Sequence, residues 1–252
     1  MWENSEVKAR GKARFKANYW ICVLASLILS LFTGENSMNL NIDLSDLRNI
    51  FDIGGGDTTS SLGSDFINAL PTALSFVLEH LSRIATTSIV LFVGVLGFLI
   101  IIFIFNVIEV GGCRFFLINS EEKAKVGEIL APFSEDGYLE IVKTQFFRDL
   151  FTTLWTLLLI IPGIVKSYEY RMMPYIMADP EFADLKQSDI FALSKKMTKG
   201  NKFDLFIFGW SFIGWMLLAT ITMGLVGVFY YYPYKNASMA EVYLTLKEKT
   251  LY

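Results

Sequence analysis

The stretch Gln145–Pro180, QFFRDLFTTLWTLLLIIPGIVKSYEYRMMPYIMADP, decides the fold. It opens as an apolar run, breaks at Pro162-Gly163, and resumes as a second run carrying Lys166, Glu169 and Arg171. The 16 residues between Asp149 and Lys166 reach about 24 Å as a helix, short of a ~30 Å hydrocarbon core unless Phe146 and Phe147 contribute and Arg148 snorkels. A chain reversal at Pro162-Gly163 is therefore expected near the outer interface. The return run Ile164–Ala178 then carries Glu169, Arg171, Tyr168 and Tyr170 at membrane depth. Lys166 is expected to reach the outer interface, leaving Glu169 and Arg171 to find partners inside a bundle.

Toward the carboxyl terminus, Asp179–Lys202 holds Lys186, Lys195, Lys196, Lys199 and Lys202. Ser188 reads as the N-cap of a helix ending at Gly200. Leu205–Tyr234 is free of formal charge, and its 30 residues as one helix would extend about 45 Å, too long for one upright crossing. A break is expected at Thr222-Met-Gly224, with a return helix from Leu225 through Leu246. The two Pro/Gly-broken hairpins echo one another: Pro162-Gly163-Ile-Val, tyrosines, Pro174-Tyr175, and Met223-Gly224-Leu-Val, tyrosines, Pro233-Tyr234. Retention of lysines on the cytoplasmic side favours six crossings over four.

Toward the amino terminus, Asn119–Lys143 reads as a charged cytoplasmic connection with a short helix from Tyr138. Thr87–Val110 is the clearest span, and Glu109 at its end has Arg114 as its nearest expected partner. As a carboxylate near membrane depth, Glu109 joins Lys166, Glu169, Tyr170 and Arg171 as a candidate intramembrane polar site. Gly34–Ala85 is acidic, with only Arg48 and Arg83 as cations, which places it outside the cell. Within it, Ile67, Leu70, Leu74, Val77 or Leu78, Leu81 and Ile84 recur at three- and four-residue steps, the pattern of a surface amphipathic helix. Tyr19–Phe32 is an uncleaved first span, with Ser26 and Ser30 giving it a smooth packing face. Before it, Glu3–Ala17 forms a short helix whose Lys8, Arg10, Lys12, Arg14 and Lys16 hold that end in the cytoplasm. These five are also candidate contacts for anionic lipid headgroups.

Composition agrees. A hydrophobic share of 53% exceeds what a soluble core of 252 residues needs, and mean hydropathy is +0.45. A net charge of −3 and the lack of a basic stripe argue against nucleic acid as a partner. Cys22 and Cys113 form no CxxC and read as apolar filler. The glycines of Asp52–Asp57 are not followed by Gly-Lys-Ser/Thr, and their aspartates lack EF-hand spacing. With His80 as the single histidine there is no HExxH and no Ser-His-Asp set, so no cofactor, metal or catalytic residue is assigned and an enzyme is not expected.

The order Ala13-Arg14-x-x-x-Ala17-Asn18-Tyr19-Trp20, Arg114-Phe-Phe-Leu117, Leu154-Trp155-x-Leu-Leu-Leu-Ile-Ile-Pro-Gly-Ile164-Val-Lys166, Tyr170-x-Met-x-Pro-Tyr-Ile-x-Ala-Asp179-Pro, Ser194-x-x-Met197-x-x-Gly200-Asn-Lys202 and Ser211-Phe-Ile-Gly-Trp215 is distinctive. It resembles the bacterial membrane-protein family known as domain of unknown function 975, over nearly the whole chain except Gly34–Ala85. That resemblance implies a Gram-positive plasma-membrane protein with about six spans. It is similar, more distantly, to the membrane domain attached to some glycerophosphodiester phosphodiesterases, and it carries over no catalytic residue.

The expectation is an all-α integral membrane protein of the cell membrane. It has about six transmembrane helices, two broken hairpins and amphipathic interfacial helices, all in one domain over 1–252, with 34–85 extracytoplasmic and both termini cytoplasmic. Its expected role is non-enzymatic, binding membrane lipid, a membrane-protein partner or a second copy of itself. A small-solute transporter or channel component using charges in a broken helix is the alternative.

Overall fold

The structure is a computed structural model that describes residues 3–33, 65–134 and 137–251, with the side chains of 32–33 and 65–74 outside that set. The acidic and glycine-rich part of the 34–85 segment, and the expected apolar positions Ile67, Leu70 and Leu74, therefore lie outside the described residues. Every long element is a helix: α1 (Asn4–Ala17), α2 (Tyr19–Thr33), α3 (Asp65–Ile100), α4 (Asn106–Glu121), α5 (Tyr138–Leu158), α6 (Ile160–Glu169), α7 (Met173–Ala178), α8 (Gln187–Thr198), α9 (Lys202–Trp210), α10 (Ile213–Ile221) and α11 (Tyr232–Leu251). The chain divides into two compact units, Met1–Asn36 with Ile100–Tyr252, and Ser37–Leu99.

In the second unit, α3 corrects one expectation. The amphipathic helix and the following span are not separate, because α3 runs unbroken from Asp65 to Ile100. No glycine pair or proline interrupts Leu81 to Thr87, so the ladder has no reason to stop there. Its described apolar side chains are exposed on every side, Val90 and Phe92 among the most open. His80 sits edge-on to Phe76, and Glu79 pairs with Arg83 one turn on.

In the first unit, the core is built on α4 and α11. Phe115, Phe116 and Val110 of α4 and Ala240, Val242, Tyr243 and Leu246 of α11 are fully or almost fully enclosed. The amino-terminal helix α1 lies along α11, where Gly11 approaches the Ser238 backbone so closely that a Cβ would stand 2.6 Å from Ser238 Cα. Asn18 ends α1, and α2 leaves at 104° to it. The Asn18 amide bridges the corner, donating to Asn119 Oδ1 at 2.8 Å and to the Ala124 carbonyl at 3.0 Å. Five-residue π turns, Ile101–Phe105 and Gly227–Tyr231, precede α4 and α11.

Both hairpins form, with one shifted. The first reversal falls at Leu159, whose φ of −155° and ψ of 131° end α5, three residues before the expected Pro162-Gly163. Pro162 instead occupies the first turn of α6, where helical N–H groups have no intrahelical acceptor and the missing proton costs nothing. Gly163 is where α6 crosses α5: a Cβ there would lie 2.5 Å from Thr156 Cα, a distance impossible seven residues apart on one straight helix. The return is also shorter than expected, because α6 stops at Glu169 and a turn at Tyr170–Met172 starts α7. The short helix at Tyr138 and the first limb are one helix of 21 residues.

The second reversal occurs where expected. Met223 (φ 51°) and Gly224 (φ 88°) take left-handed conformations, and Gly227 returns against Ala219 of α10. Gly200, at φ 81°, closes α8 as expected, but Lys186 rather than Ser188 stands at its N-cap. Among the described residues, two helical runs are long and apolar enough to cross a membrane, Ser75–Glu121 and Lys202–Ile221. The bent α1–α2 pair makes a third if counted as one span.

Candidate functional site

The five residues expected to form one intramembrane polar site separate into two groups. Lys166 and Glu169 belong to a charge cluster between helices, whereas Glu109, Tyr170 and Arg171 line a cavity of about 790 Å³ in the first unit.

The cluster is centred on Glu169, whose carboxylate is 5% exposed. Lys166, one turn earlier, donates to Oε1 at 2.9 Å. Lys202, at the start of α9, donates to Oε2 at 2.6 Å. The Lys195 ammonium on α8 lies 3.7 Å from Oε1. The carbonyl of Glu169 also accepts from Ser194 Oγ at 2.8 Å. A three-residue spacing on one helix makes the Lys166 pair natural; the two other lysines are brought in by the Asp179–Lys202 segment folding back. This cluster joins α6, α8 and α9 and has no open face toward the cavity.

The cavity is walled on its apolar side by Leu29, Leu31, Ile101, Phe105, Phe116 and Met239. Its polar side presents Glu109, Arg148, Asp149, Arg171 and Lys235. Glu109 does not pair with Arg114, which binds Glu128 at 3.3 Å. Its partner is Arg148 of α5, which donates from both terminal nitrogens to the Glu109 oxygens at 3.0 and 2.9 Å. Arg148 also donates from Nε to Asp149 at 2.9 Å, and Asn106 and Gln145 complete the network on Asp149 and Glu109. A bidentate fork of this kind fixes orientation as well as charge. Arg148 is thus held by two carboxylates.

Arg171 is different. It makes no ion pair among the described residues and sits over the Tyr168 ring at 5.5 Å. Two residues from Glu169, it points to the cavity face while Glu169 points to the cluster. Lys235 lies 5.9 Å from the Tyr231 ring. Sequence reasoning passed over Arg148, Asp149 and Lys235 as site residues, since Glu109 and Arg148 are 39 positions apart and nothing local links them.

The candidate headgroup contacts of α1 also divide. Lys8 donates to the Ser211 carbonyl and covers the Phe212 ring at 4.2 Å. Arg10 binds Glu241 at 3.1 Å and Thr245 at 2.8 Å, and Arg14 reaches the Glu121 carbonyl. Lys12 and Lys16 are exposed. A further clamp holds α11: Lys247 bonds Asp179 and Glu181, each at 2.6 Å, and Tyr243 donates to Asp179 at 2.9 Å. Burial alone would lower the Lys247 pKa, but the hydrogen bonds and charges of Asp179 and Glu181 outweigh it and raise it above the ordinary lysine value.

Among the described residues no cluster of three or more His, Cys, Asp or Glu side chains is arranged to hold a metal. Residues 150–250 match the family model described as protein of unknown function (DUF975). No curated protein and no solved structure matches the chain.

Proposed function

For a chain whose residues 150–250 belong to the DUF975 family, we propose the role of a non-enzymatic, lipid-binding component of the cell membrane, with both termini cytoplasmic. Six apolar limbs meet the hydrocarbon in this reading: α2, α3 running into α4, the α5–α6 pair, and the α9–α10 limb with its return. From Ile89 to Ile100 helix α3 is apolar on all sides and suits lipid as its surroundings. The observation that carries the lipid role is the two-sided cavity. A charged side with one cation left over beside an apolar wall suits an anionic headgroup whose chains leave past Leu29, Leu31 and Ile101. Arg171 supplies a cation there with no ion pair among the described residues, whereas Arg148 is balanced by Glu109 and Asp149. Lys12 and Lys16 on α1 add attraction to an anionic leaflet, roughly 1 kcal/mol for each basic side chain near the surface.

The test is native mass spectrometry of detergent-purified protein. The wild type retains phospholipid, and Arg171→Gln, which breaks no ion pair, releases it. Retention unchanged by the variant removes the cavity from the account. The transporter reading draws on the same Glu109–Arg148–Asp149 network lining a cavity beside a broken helix. Exchange of a labelled solute by liposomes carrying the protein would favour it instead.

A further inference from the structure

We infer that the α5–α6 hairpin is a re-entrant wedge that enters one leaflet and turns back, not a pair of membrane crossings. This rests on the membrane reading above but not on lipid binding in the cavity. Leu157, Leu158, Ile160 and Ile161 at the hairpin tip are 69–84% exposed, and no described element covers them. Such a tip calls for an apolar medium.

The length of the limbs sets how far it can go. Helix α6 has 10 residues, so Glu169 lies only ~15 Å along the axis from the tip. On the other limb Arg148 is likewise ~15 Å from Leu158. Tilting the hairpin only shortens its reach along the bilayer normal. A tip at the far interface of a ~30 Å core would therefore hold Arg148 and the Glu169 cluster near the midplane. One member of that cluster forbids this: the Lys195 side chain is 65% exposed, and an ammonium facing hydrocarbon there has no solvation. With the tip at the midplane instead, Arg148 and Lys195 fall at the headgroups and Lys166 reaches them by snorkelling. Composition points the same way, since α5 has 21 residues yet is not among the helices apolar enough to cross. The wedge is stiffened where Gly163 seats on Thr156 and where Lys166 lies 5.6 Å from the Trp155 ring.

The experiment is a depth profile by spin labelling. In a Cys22→Ala, Cys113→Ala background reconstituted in liposomes, nitroxides are attached at Leu150→Cys, Leu154→Cys, Leu157→Cys, Ile160→Cys and Val165→Cys. Accessibility to oxygen is compared with that to a water-soluble nickel chelate. A wedge gives one maximum of the oxygen-to-nickel ratio, at Leu157 and Ile160. Two crossings give a maximum within each limb and a minimum at the tip, which overturns the inference, as does a nickel-accessible tip. Leu217→Cys on α10 serves as control. If it reads as water-exposed, the membrane reading itself fails; if it reads as hydrocarbon while the tip does not, only the wedge fails. Two tip positions keep the test intact should one variant misfold.

Discussion

Lys202 Nζ donates a 2.6 Å hydrogen bond to Glu169 Oε2 across 33 residues of chain, and Lys166 holds the other oxygen. One carboxylate thereby ties cations from three helices, the third being Lys195 at 3.7 Å. Glu169→Gln leaves those lysines facing a neutral amide and is expected to cost about 3–5 kcal/mol, the range for breaking a buried pair. Lys195→Gln, at the exposed edge of the cluster, is expected to change stability by less than ~1 kcal/mol. Thermal unfolding in detergent compares the two; equal effects would show that the cluster does not hold the helices.

Glu109 and Arg148 form a bidentate pair fixed by Asp149, Asn106 and Gln145. A double-mutant cycle with Glu109→Gln and Arg148→Gln is expected to return a coupling energy of about 1–3 kcal/mol. Additive single effects would mean that the two groups are solvated independently.

Gly111 and Gly209 both sit in helices but have opposite surroundings. A Cβ on Gly111 would collide with the carbonyl of Ile129, a backbone group that cannot swing aside, whereas one on Gly209 meets nothing within 4 Å. Gly111→Ala should destabilise by ~1–3 kcal/mol through overpacking. Gly209→Ala should be neutral or stabilise by up to ~1 kcal/mol through helix propensity. The order of the two melting temperatures checks this.

The proposed threading would put Lys199, in the α8–α9 connection, in the cytoplasm. Lys199→Cys in the background lacking Cys22 and Cys113 should resist a membrane-impermeant maleimide in intact cells and react after permeabilisation. Labelling of intact cells would put the Glu169 cluster on the outer side.

The hairpins were legible in the sequence because a reversal needs local signals. Met223-Gly224 turns where the break was expected, and Gly200 closes α8 where a glycine C′ was expected. The first reversal was displaced to Leu159 because proline is equally at home in a first helical turn, so Pro162 marks the neighbourhood of the break and not its residue. The site was less legible. Lys166 and Glu169 share a helix face, and their pairing follows from spacing; Arg148 meets Glu109 only through the packing of α4 against α5, which no periodicity encodes. The unbroken α3 was missed because a change from amphipathic to wholly apolar composition alters a helix's surroundings without ending it.

The docking of α1 on α11 joins two helices that lie far apart in the sequence. Gly11 seats against Ser238, and Arg10 holds Glu241. On the ribosome the first helix is therefore without its partner while more than 200 residues are made. At ~5–20 residues per second that interval lasts on the order of 10–50 s. During it Arg10 lacks its contacts with Glu241 and Thr245. The basic helix thus takes its place beside Glu241 and Thr245 only when α11 emerges to claim it.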